Sequence, residues 1–260
     1  MMGDSDDGTQ RVRIAVAGGT GLTGAHVVAI ARRRGHDVVS LSRRGGVDLV
    51  SGAGLREAIA GAETVIDVSN VGSMKTEVSV SFFAGATRNL LSAEARSGIT
   101  HHLALTIVGA DAAPDGYYAG KLTQERLIEG GDVPWTILRA TQFHEYAALM
   151  FGAVKVGPLH AAPRARVQPI AVREVAEHLV ELAEAGPAGR VTELAGPQEE
   201  SLADMVRSYA RAIGHRGPMP EISLPGAFGR AQRGGLLLPK PGAILGSQTF
   251  DEWLDALPDR

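Results

Sequence analysis

The stretch AVAGGTGLTG, from Ala15 to Gly24, places four glycines within seven residues directly behind an apolar run. Glycine loses more conformational entropy on folding than other residues, so such a cluster indicates a sharp turn or a close approach of another group. The cluster fits G-x-G-x-x-G and also G-x-x-G-x-x-G, and it separates a strand pattern at 11–17 from a helical pattern at 22–34. This order is typical of a loop whose backbone N–H groups bind a pyrophosphate, and a tight turn without a ligand is the alternative. The predicted cofactor loop consists of Gly18, Gly19, Thr20, Gly21, Leu22, Thr23 and Gly24.

Short apolar runs alternate with helical patterns along the first half of the chain. Strand patterns lie at 11–17, 37–41, 63–68, 100–107 and 133–138, and helical patterns lie at 22–34, 53–60, 79–97 and 117–130. The alternation predicts an α/β fold, a Rossmann-type doubly wound parallel sheet with helices on both faces. The loops that follow the strands then meet at one edge of the sheet, where ligands bind.

The pattern becomes irregular beyond residue 150, where Gly-Pro and Ala-Pro pairs separate short elements. Helices are predicted at 172–185, at 201–213 with Ser201 as cap, and at the C-terminus to near Leu257, with a strand at 191–195. We expect a mobile N-terminal tail at 1–10, an NAD(P)-binding core at 11–150 and a C-terminal region at 151–260 that packs on the core and covers the substrate.

The composition limits the classes of function. Hydrophobic residues make up 44% of the 260 residues and charged residues 21%, and the net charge of −3 provides no basic field for nucleic acid. With no cysteine, disulfides, thiolate nucleophiles and cysteine-ligated metals are excluded. No apolar run is long enough to span a membrane, and the acidic start is unlike a signal peptide. We therefore expect a cytoplasmic protein with a small-molecule substrate, no metal and no nucleic-acid or membrane partner, and the sequence is compatible with an oligomer.

Two arginines, Arg43 and Arg44, end the second predicted strand. NAD-binding sites usually have a carboxylate about 20 residues beyond the glycines, where it binds the ribose 2′-hydroxyl. A guanidinium suits a 2′-phosphate instead, so the pair favours NADP(H) over NAD(H). The alternative is a pair of solvated loop charges.

Tyr117 and Lys121 are four residues apart at the start of a helical pattern, which places their side chains on one face. The lysine ammonium can hold the nicotinamide ribose and lower the pKa of the phenol, as general acid–base catalysis requires. An exposed aromatic beside an exposed cation is the alternative. Tyr118, three residues before Lys121, is a second candidate to face the substrate.

Several motifs together resemble the NmrA-like, NAD(P)H-binding group of atypical short-chain dehydrogenases/reductases, and the resemblance covers most of the chain. The motifs are GGTGLTG, LSRR, Asp48-Leu49, DVSN (Asp67–Asn70), LTIVGAD (Leu105–Asp111), YYAGKLTQE (Tyr117–Glu125) and ILRATQFHE (Ile137–Glu145). The resemblance implies that Asp48 approaches the adenine, that Ser69 and Asn70 line the nicotinamide-side ribose, and that Thr141 and Gln142 lie near the nicotinamide.

Two further side chains are candidates for contact with a substrate. Thr106 stands where related sequences carry a serine that binds the substrate carbonyl, although a β-branched core residue is an equal alternative. His144 follows the fifth strand and could exchange protons with a substrate, or pack as an ordinary buried histidine.

These observations favour an NADP(H)-dependent oxidoreductase that transfers a hydride between the nicotinamide and a small carbonyl or quinone-like substrate. Tyr117 is the expected general acid/base and Lys121 is expected to orient the ribose. Two other functions stay open: a non-catalytic NADP(H) sensor, and an epimerase or dehydratase that retains its cofactor.

Overall fold

The strand patterns of the sequence come together in one parallel sheet. The computed structural model describes residues 11–156 and 159–258, so the tail predicted at 1–10 lies outside the described residues. The strands are β1 (Arg13–Ala17), β2 (Asp37–Leu41), β3 (Thr64–Asp67), β4 (His101–Ile107), β5 (Trp135–Ala140), β6 (Lys155–Val156), β7 (Leu159–His160), β8 (Ala162–Pro163), β9 (Arg166–Val167), β10 (Gly189–Arg190), β11 (Leu194–Ala195), β12 (Glu200–Ser201), β13 (Glu221–Ile222) and β14 (Ile244–Leu245).

The helices are α1 (Leu22–Arg33), α2 (Leu55–Ala58), α3 (Thr76–Ser97), α4 (Tyr117–Glu129), α5 (Tyr146–Ala153), α6 (Val172–Ala185), α7 (Leu202–Ala212), α8 (Gly226–Arg233) and α9 (Phe250–Asp255). A single 3₁₀ turn at Arg43–Gly45 follows β2. Ser201 caps α7 as expected, because its hydroxyl oxygen accepts the N–H of Asp204.

The main sheet has the order β14-β11-β5-β4-β3-β1-β2, and β10 also pairs with β5. All these pairings are parallel, which confirms the predicted fold class. The chain leaves β1 toward β2 on one side and returns to β3 on the other. The loops after β1 and β3 therefore face each other at the switch point where such sheets bind ligands.

Side chains alternate between the two helical layers. Ile14 and Val16 of β1 pack in one core with α1 and α6, whereas Ala15 and Ala17 pack in the other with residues of α2 and α3. The strand pattern at 11–17 is thus buried on both faces, as its unbroken apolar sequence indicates.

The C-terminal half differs from the prediction in detail. The strand expected at 191–195 is present only at its end, as β11, and a second short strand, β10, precedes the expected range. Between them the Glu193 carboxylate accepts the N–H of Lys240 at 2.9 Å. Both strands extend the sheet beyond β5. The structure also has two helices that the sequence did not predict, α5 and α8. The first is apolar on nearly every side and so has no helical period, and the second contains glycines that usually indicate loops.

A buried ion pair joins α3 to β4. Glu94 and His102 are both fully buried, and Nδ1 of the histidine lies 2.9 Å from each carboxylate oxygen. Burial alone lowers the pKa of His102, but the Glu94 carboxylate outweighs burial, so the pKa is raised overall. His101, on the other face of the strand, instead contacts Thr136 at 2.8 Å, so the two adjacent histidines share no site.

Replacing Glu94 by Gln should destabilise the protein by about 3–5 kcal/mol, because it leaves His102 buried without its counter-charge. The stabilisation through His102 is complete below the unfolded pKa of about 6.5 and is lost as the pH rises through the raised folded pKa. Chemical denaturation over a pH series should therefore show a difference from wild type that shrinks with rising pH. Glu177→Gln, which breaks an exposed pair with Arg173, is the control, and a pH-independent cost would contradict the assignment.

Candidate cofactor and catalytic site

The glycine loop joins β1 to α1 at the carboxyl edge of the sheet, and its glycines have different surroundings. Gly18 has φ +80°, and a Cβ there would lie 2.9 Å from Cα of Ser69. A Cβ on Gly24 would collide with the carbonyl oxygen of Gly18, so this glycine lets the helix approach the strand. On Gly21 a Cβ would meet, beyond its own chain neighbours, only that carbonyl, at 3.2 Å. The loop thus has one open face, at Gly21, through which a ligand can reach the backbone.

The N-terminus of α1 opens onto this face. Gly21 is the N-cap and has no side chain to cap the helix, and the first turn contains no acidic residue. The first N–H groups of a helix have no carbonyl partner within it, and they attract anions. Thr20 and Leu22 are exposed beside these groups, whereas Thr23 is buried.

Ser69 lies against the glycine loop at the end of β3. Its hydroxyl is buried and has no hydrogen-bond partner among the described residues. The neighbouring Asn70 is exposed, and its side-chain oxygen accepts the N–H of Val71 at 2.8 Å. A buried hydroxyl without a hydrogen-bond partner costs free energy, and a bound ligand could supply the partner. The Ser69 hydroxyl therefore favours a ligand site beside the glycine loop.

Arg43 and Arg44 lie in the 3₁₀ turn that follows β2, and both are exposed. Neither guanidinium makes an ion pair or side-chain hydrogen bond within the described ranges. Asp48 holds the next turn, because its Oδ1 accepts the N–H groups of Val50 and Ser51 at 2.8 and 3.0 Å. The N–H groups of Ser51 and Val50, with a smaller contribution from Arg43, lower the pKa of Asp48. The two arginines therefore keep their donors available at the same edge as the glycine loop.

The two tyrosines at the start of α4 have different environments. Tyr118 is 3% exposed, its ring packs on Phe228 of α8 at 5.1 Å, and its hydroxyl oxygen accepts from Nε2 of Gln142 at 2.9 Å. Tyr117 is partly exposed and packs edge-on against Phe83 at 5.7 Å. Its hydroxyl has no hydrogen bond within the described part of the chain. Burial, and then the Asp67 carboxylate, raise the pKa of Tyr117, so the phenol is protonated at neutral pH. The expected lowering of this pKa by Lys121 is therefore wrong for the structure without cofactor, because burial of the phenol dominates.

Lys121 points inward from α4 and is 4% exposed. Its Nζ donates to the carbonyl oxygen of Leu105 and to Oε1 of Gln124, both at 2.9 Å, and lies 4.3 Å from the ring centroid of Phe83. Burial lowers the pKa of Lys121 to about 8, against the opposing effects of Asp67 and Glu125. The exposed-cation alternative for this lysine does not apply, because the ammonium is buried and hydrogen-bonded.

Thr106 lies on β4 and is buried. Its hydroxyl donates to Oε1 of Glu125 at 2.6 Å, and the same carboxylate accepts from Arg139 at 2.9 and 2.7 Å and from Arg190 at 2.9 Å. A substrate carbonyl would have to compete with Glu125 for the Thr106 hydroxyl. Sequence reasoning missed this network, although Glu125 and Arg139 belong to motifs that carry the resemblance.

The polar side chains that follow β5 mainly form hydrogen bonds within the protein. Thr141 donates to the carbonyl oxygen of Gln168 at 2.6 Å. Gln142 donates to Tyr118, but its Oε1 is buried without a partner among the described residues. His144 is fully buried, with Nε2 3.2 Å from the carbonyl oxygen of Gln248 and with its ring 5.9 Å from those of two aromatic residues of α9. Burial lowers its pKa, and these contacts match the packing alternative.

The arrangement fits a dinucleotide. The open face at Gly21 admits a pyrophosphate to the backbone, and the buried Ser69 hydroxyl, which has no partner among the described residues, lies beside it. Two exposed guanidinium groups follow the neighbouring strand. Within the described ranges, no group of three or more histidine or carboxylate side chains is placed to hold a metal ion. The helices described there include none with both the length and the apolar character needed to cross a bilayer.

Solved structures with the same fold include enzymes of two kinds. A NADPH-dependent quinone oxidoreductase from Escherichia coli has a TM-score of 0.65 at 17% identity, over 93% of this chain and 98% of that one. A UDP-glucose 4-epimerase from Thermus thermophilus, in complex with NAD, has a TM-score of 0.64 at 18% identity, and the match covers 90% of each chain. A nucleoside-diphosphate-sugar epimerase from Staphylococcus aureus has a TM-score of 0.65 at 17% identity, and the match covers 93% of this chain and 99% of that one. At such identities the likeness shows the fold alone.

The family comparison agrees with the site. No curated protein matches the sequence of this chain. The family model described as NAD(P)H-binding matches residues 18–185, more than half of the chain, and this range runs from the glycine loop to the end of α6. The chain therefore belongs to the NAD(P)H-binding family, as its resemblance to NmrA-like atypical short-chain dehydrogenases/reductases predicts.

Proposed function

We propose that this protein is an NADP(H)-dependent oxidoreductase that reduces a small carbonyl or quinone-like substrate. The observation that carries the proposal is the pair on α4, where the partly exposed residue Tyr117 has a hydroxyl without hydrogen bonds to the described residues and a buried ammonium, Lys121, follows four residues later. This pair lies at the sheet edge that also holds the glycine loop.

Each part of the cofactor has candidate partners along that edge. The glycine loop would hold the pyrophosphate, Arg43 and Arg44 the 2′-phosphate, and Asp48 the adenine side. Ser69, Asn70 and Lys121 would hold the nicotinamide-side ribose, with Thr141 and Gln142 near the nicotinamide. When bound, reduced nicotinamide supplies a hydride, and the protein has to orient the substrate and provide a proton.

Tyr117 is the better proton donor of the two tyrosines. Its phenol is protonated at neutral pH, and its hydroxyl makes no hydrogen bond to the described residues, so it is available to a substrate oxygen. Tyr118 lies deeper, beneath Phe228, and is already hydrogen-bonded to Gln142.

The surroundings of Tyr117 suit an apolar, planar substrate. Phe83, Tyr118 and Phe228 place three more rings near it, and Leu237 packs in the same cluster. The quinone oxidoreductase among the solved structures agrees with such a substrate class. The epimerases with the same fold keep an alternative open, in which the cofactor stays bound and the hydride returns to the substrate.

The proposal is tested by the absorbance of reduced nicotinamide in the presence of a panel of aldehydes, ketones and quinones. Substrate-dependent oxidation of NADPH supports an oxidoreductase. Binding of NADPH without turnover on any member of the panel would favour the sensor instead.

Arg43→Ala should weaken NADPH binding by about 1.5–3 kcal/mol more than NADH binding, the usual value of a hydrogen bond to a charged group. The arginine is exposed and its guanidinium makes no hydrogen bond or ion pair within the described residues, so its removal breaks none there. Fluorescence titrations with both cofactors measure the difference, and Arg33→Ala, at the opposite end of α1, is the control. Equal losses for NADPH and NADH would show that Arg43 does not bind the 2′-phosphate.

A further inference from the structure

Three buried side chains form a hydrogen-bonded chain between β3 and α4. Asp67 accepts from Nε2 of Gln124 at 2.8 Å, and Oε1 of the same amide accepts from Nζ of Lys121 at 2.9 Å. Asp67 and Gln124 are fully buried. The other carboxylate oxygen of Asp67 accepts the backbone N–H of Ser69 at 2.9 Å. One carboxylate thus connects the loop after β3 to the lysine on α4.

The carboxylate determines how the amide is oriented. An ionised carboxylate only accepts hydrogen bonds, so the NH₂ group of Gln124 must face Asp67 and the carbonyl oxygen must face Lys121. An amide with the reverse orientation would place its NH₂ group against an ammonium. Gln124 is therefore an acceptor of fixed direction for Lys121.

The ammonium has three N–H donors, and two are used by Gln124 and by the carbonyl oxygen of Leu105. The Phe83 ring also packs against the ammonium, with its centroid 4.3 Å from Nζ, and the third N–H has no hydrogen-bond acceptor among the described residues. With these contacts in place, the direction of the third N–H is fixed. A buried cation is costly unless its charge is balanced. Asp67 supplies a buried negative charge, connected to Lys121 through the side chain of Gln124.

We propose that Gln124, oriented by Asp67, is a positioning residue that directs the free N–H of Lys121 to the nicotinamide-side ribose. The same carboxylate holds the Ser69 backbone, so it sets both sides of one ribose subsite. The ribose contact rests on the function proposed above, whereas the Asp67–Gln124–Lys121 chain is a property of this fold.

The test uses variants that break the chain of bonds and one that rebuilds it. Gln124→Leu removes the bridge. Asp67→Asn removes the fixed acceptor, and the amide of Gln124 is then no longer held in one orientation. The double variant Asp67→Asn with Gln124→Glu restores all three bonds, and only the bond between positions 67 and 124 is reversed, because the asparagine now donates to the glutamate. The glutamate still accepts from Lys121, the asparagine oxygen can still accept from Ser69, and the net charge is unchanged.

Binding of two ligands separates positioning from general damage. NADPH contains the nicotinamide ribose, and adenosine 2′,5′-bisphosphate contains only the other half of the cofactor. Gln124→Leu and Asp67→Asn should each weaken NADPH binding by about tenfold or more, the lower limit for one hydrogen bond to a charged group, with the bisphosphate unaffected. The double variant should bind NADPH within about threefold of wild type. Thr123→Val, which removes the neighbouring hydroxyl bond to Ala119, should change neither affinity.

Equal losses for both ligands, an unchanged NADPH affinity in folded Gln124→Leu, or a double variant no better than Asp67→Asn would each overturn the proposal. If Gln124→Leu does not fold, the comparison of Asp67→Asn with the double variant decides. Wild-type protein that binds no NADPH would defeat this inference and the proposed function together. Binding without turnover would defeat only the proposed reaction.

Discussion

A Gly21→Val variant is expected to stay folded and to lose measurable affinity for NADPH. A Cβ at this position meets only the Gly18 carbonyl oxygen, at 3.2 Å, and the residue has φ −79°, which any amino acid can adopt. The branched side chain would occupy the open face through which a pyrophosphate reaches the N-terminus of α1. Thermal unfolding measures the fold, and fluorescence titration with NADPH measures the affinity.

Gly24→Val is the contrasting variant, because there the new side chain meets backbone. A Cβ on Gly24 collides with the Gly18 carbonyl and approaches Cα of Gly19 to 2.6 Å, so this variant should lose stability as well as binding. If folded Gly21→Val bound NADPH as well as wild type does, the cofactor could not lie on the glycine loop.

Tyr117→Phe is expected to reduce turnover by about 10²–10⁴, the usual contribution of a positioned general acid or base. The substitution removes one hydroxyl, which makes no hydrogen bond within the described residues, and keeps the ring that packs on Phe83. NADPH affinity should barely change, because no proposed contact to the pyrophosphate or adenine involves this residue. Steady-state kinetics measure the turnover number, and a binding titration measures the affinity.

Tyr118→Phe is the matched control on the next residue. It removes a buried hydroxyl whose partner is Gln142, so a modest loss of stability and little loss of turnover are expected. If Tyr118→Phe abolished turnover while Tyr117→Phe retained it, the proton donor would be Tyr118.

The sheet and its binding edge could be predicted because their signals are local. Glycine spacing, apolar runs and the alternation of strand and helix patterns each depend on neighbouring residues, and parallel pairing then places the loops at one edge. Residues 15–24 therefore predict both the fold and the position of the cofactor loop.

The buried polar contacts could not be predicted because they join distant parts of the chain. The bond from Gln124 to Asp67 spans 57 residues, and nothing in the sequence near either residue indicates the other. Thr106 illustrates the same limit, since its hydroxyl is taken up by Glu125, one turn beyond Lys121 on a helix that packs against the strand. The helix α8 was missed for a different reason: Gly229 is there because Leu224 leaves no room for a side chain, not because the chain turns.

The fate of deuterium from NADPH labelled at both C4 hydrogens tests the central claim most directly. Mass spectrometry of the product, after incubation with an aldehyde or ketone that supports NADPH oxidation, shows where the label goes. With a quinone the deuterium reaches a hydroxyl that exchanges with water, so the oxidised cofactor, which keeps one deuterium, is measured instead. A reductase gives an alcohol that carries one deuterium on carbon and an equal amount of oxidised cofactor. An isomerised substrate with no net oxidation of NADPH, or an alcohol without label, would contradict the proposed hydride transfer.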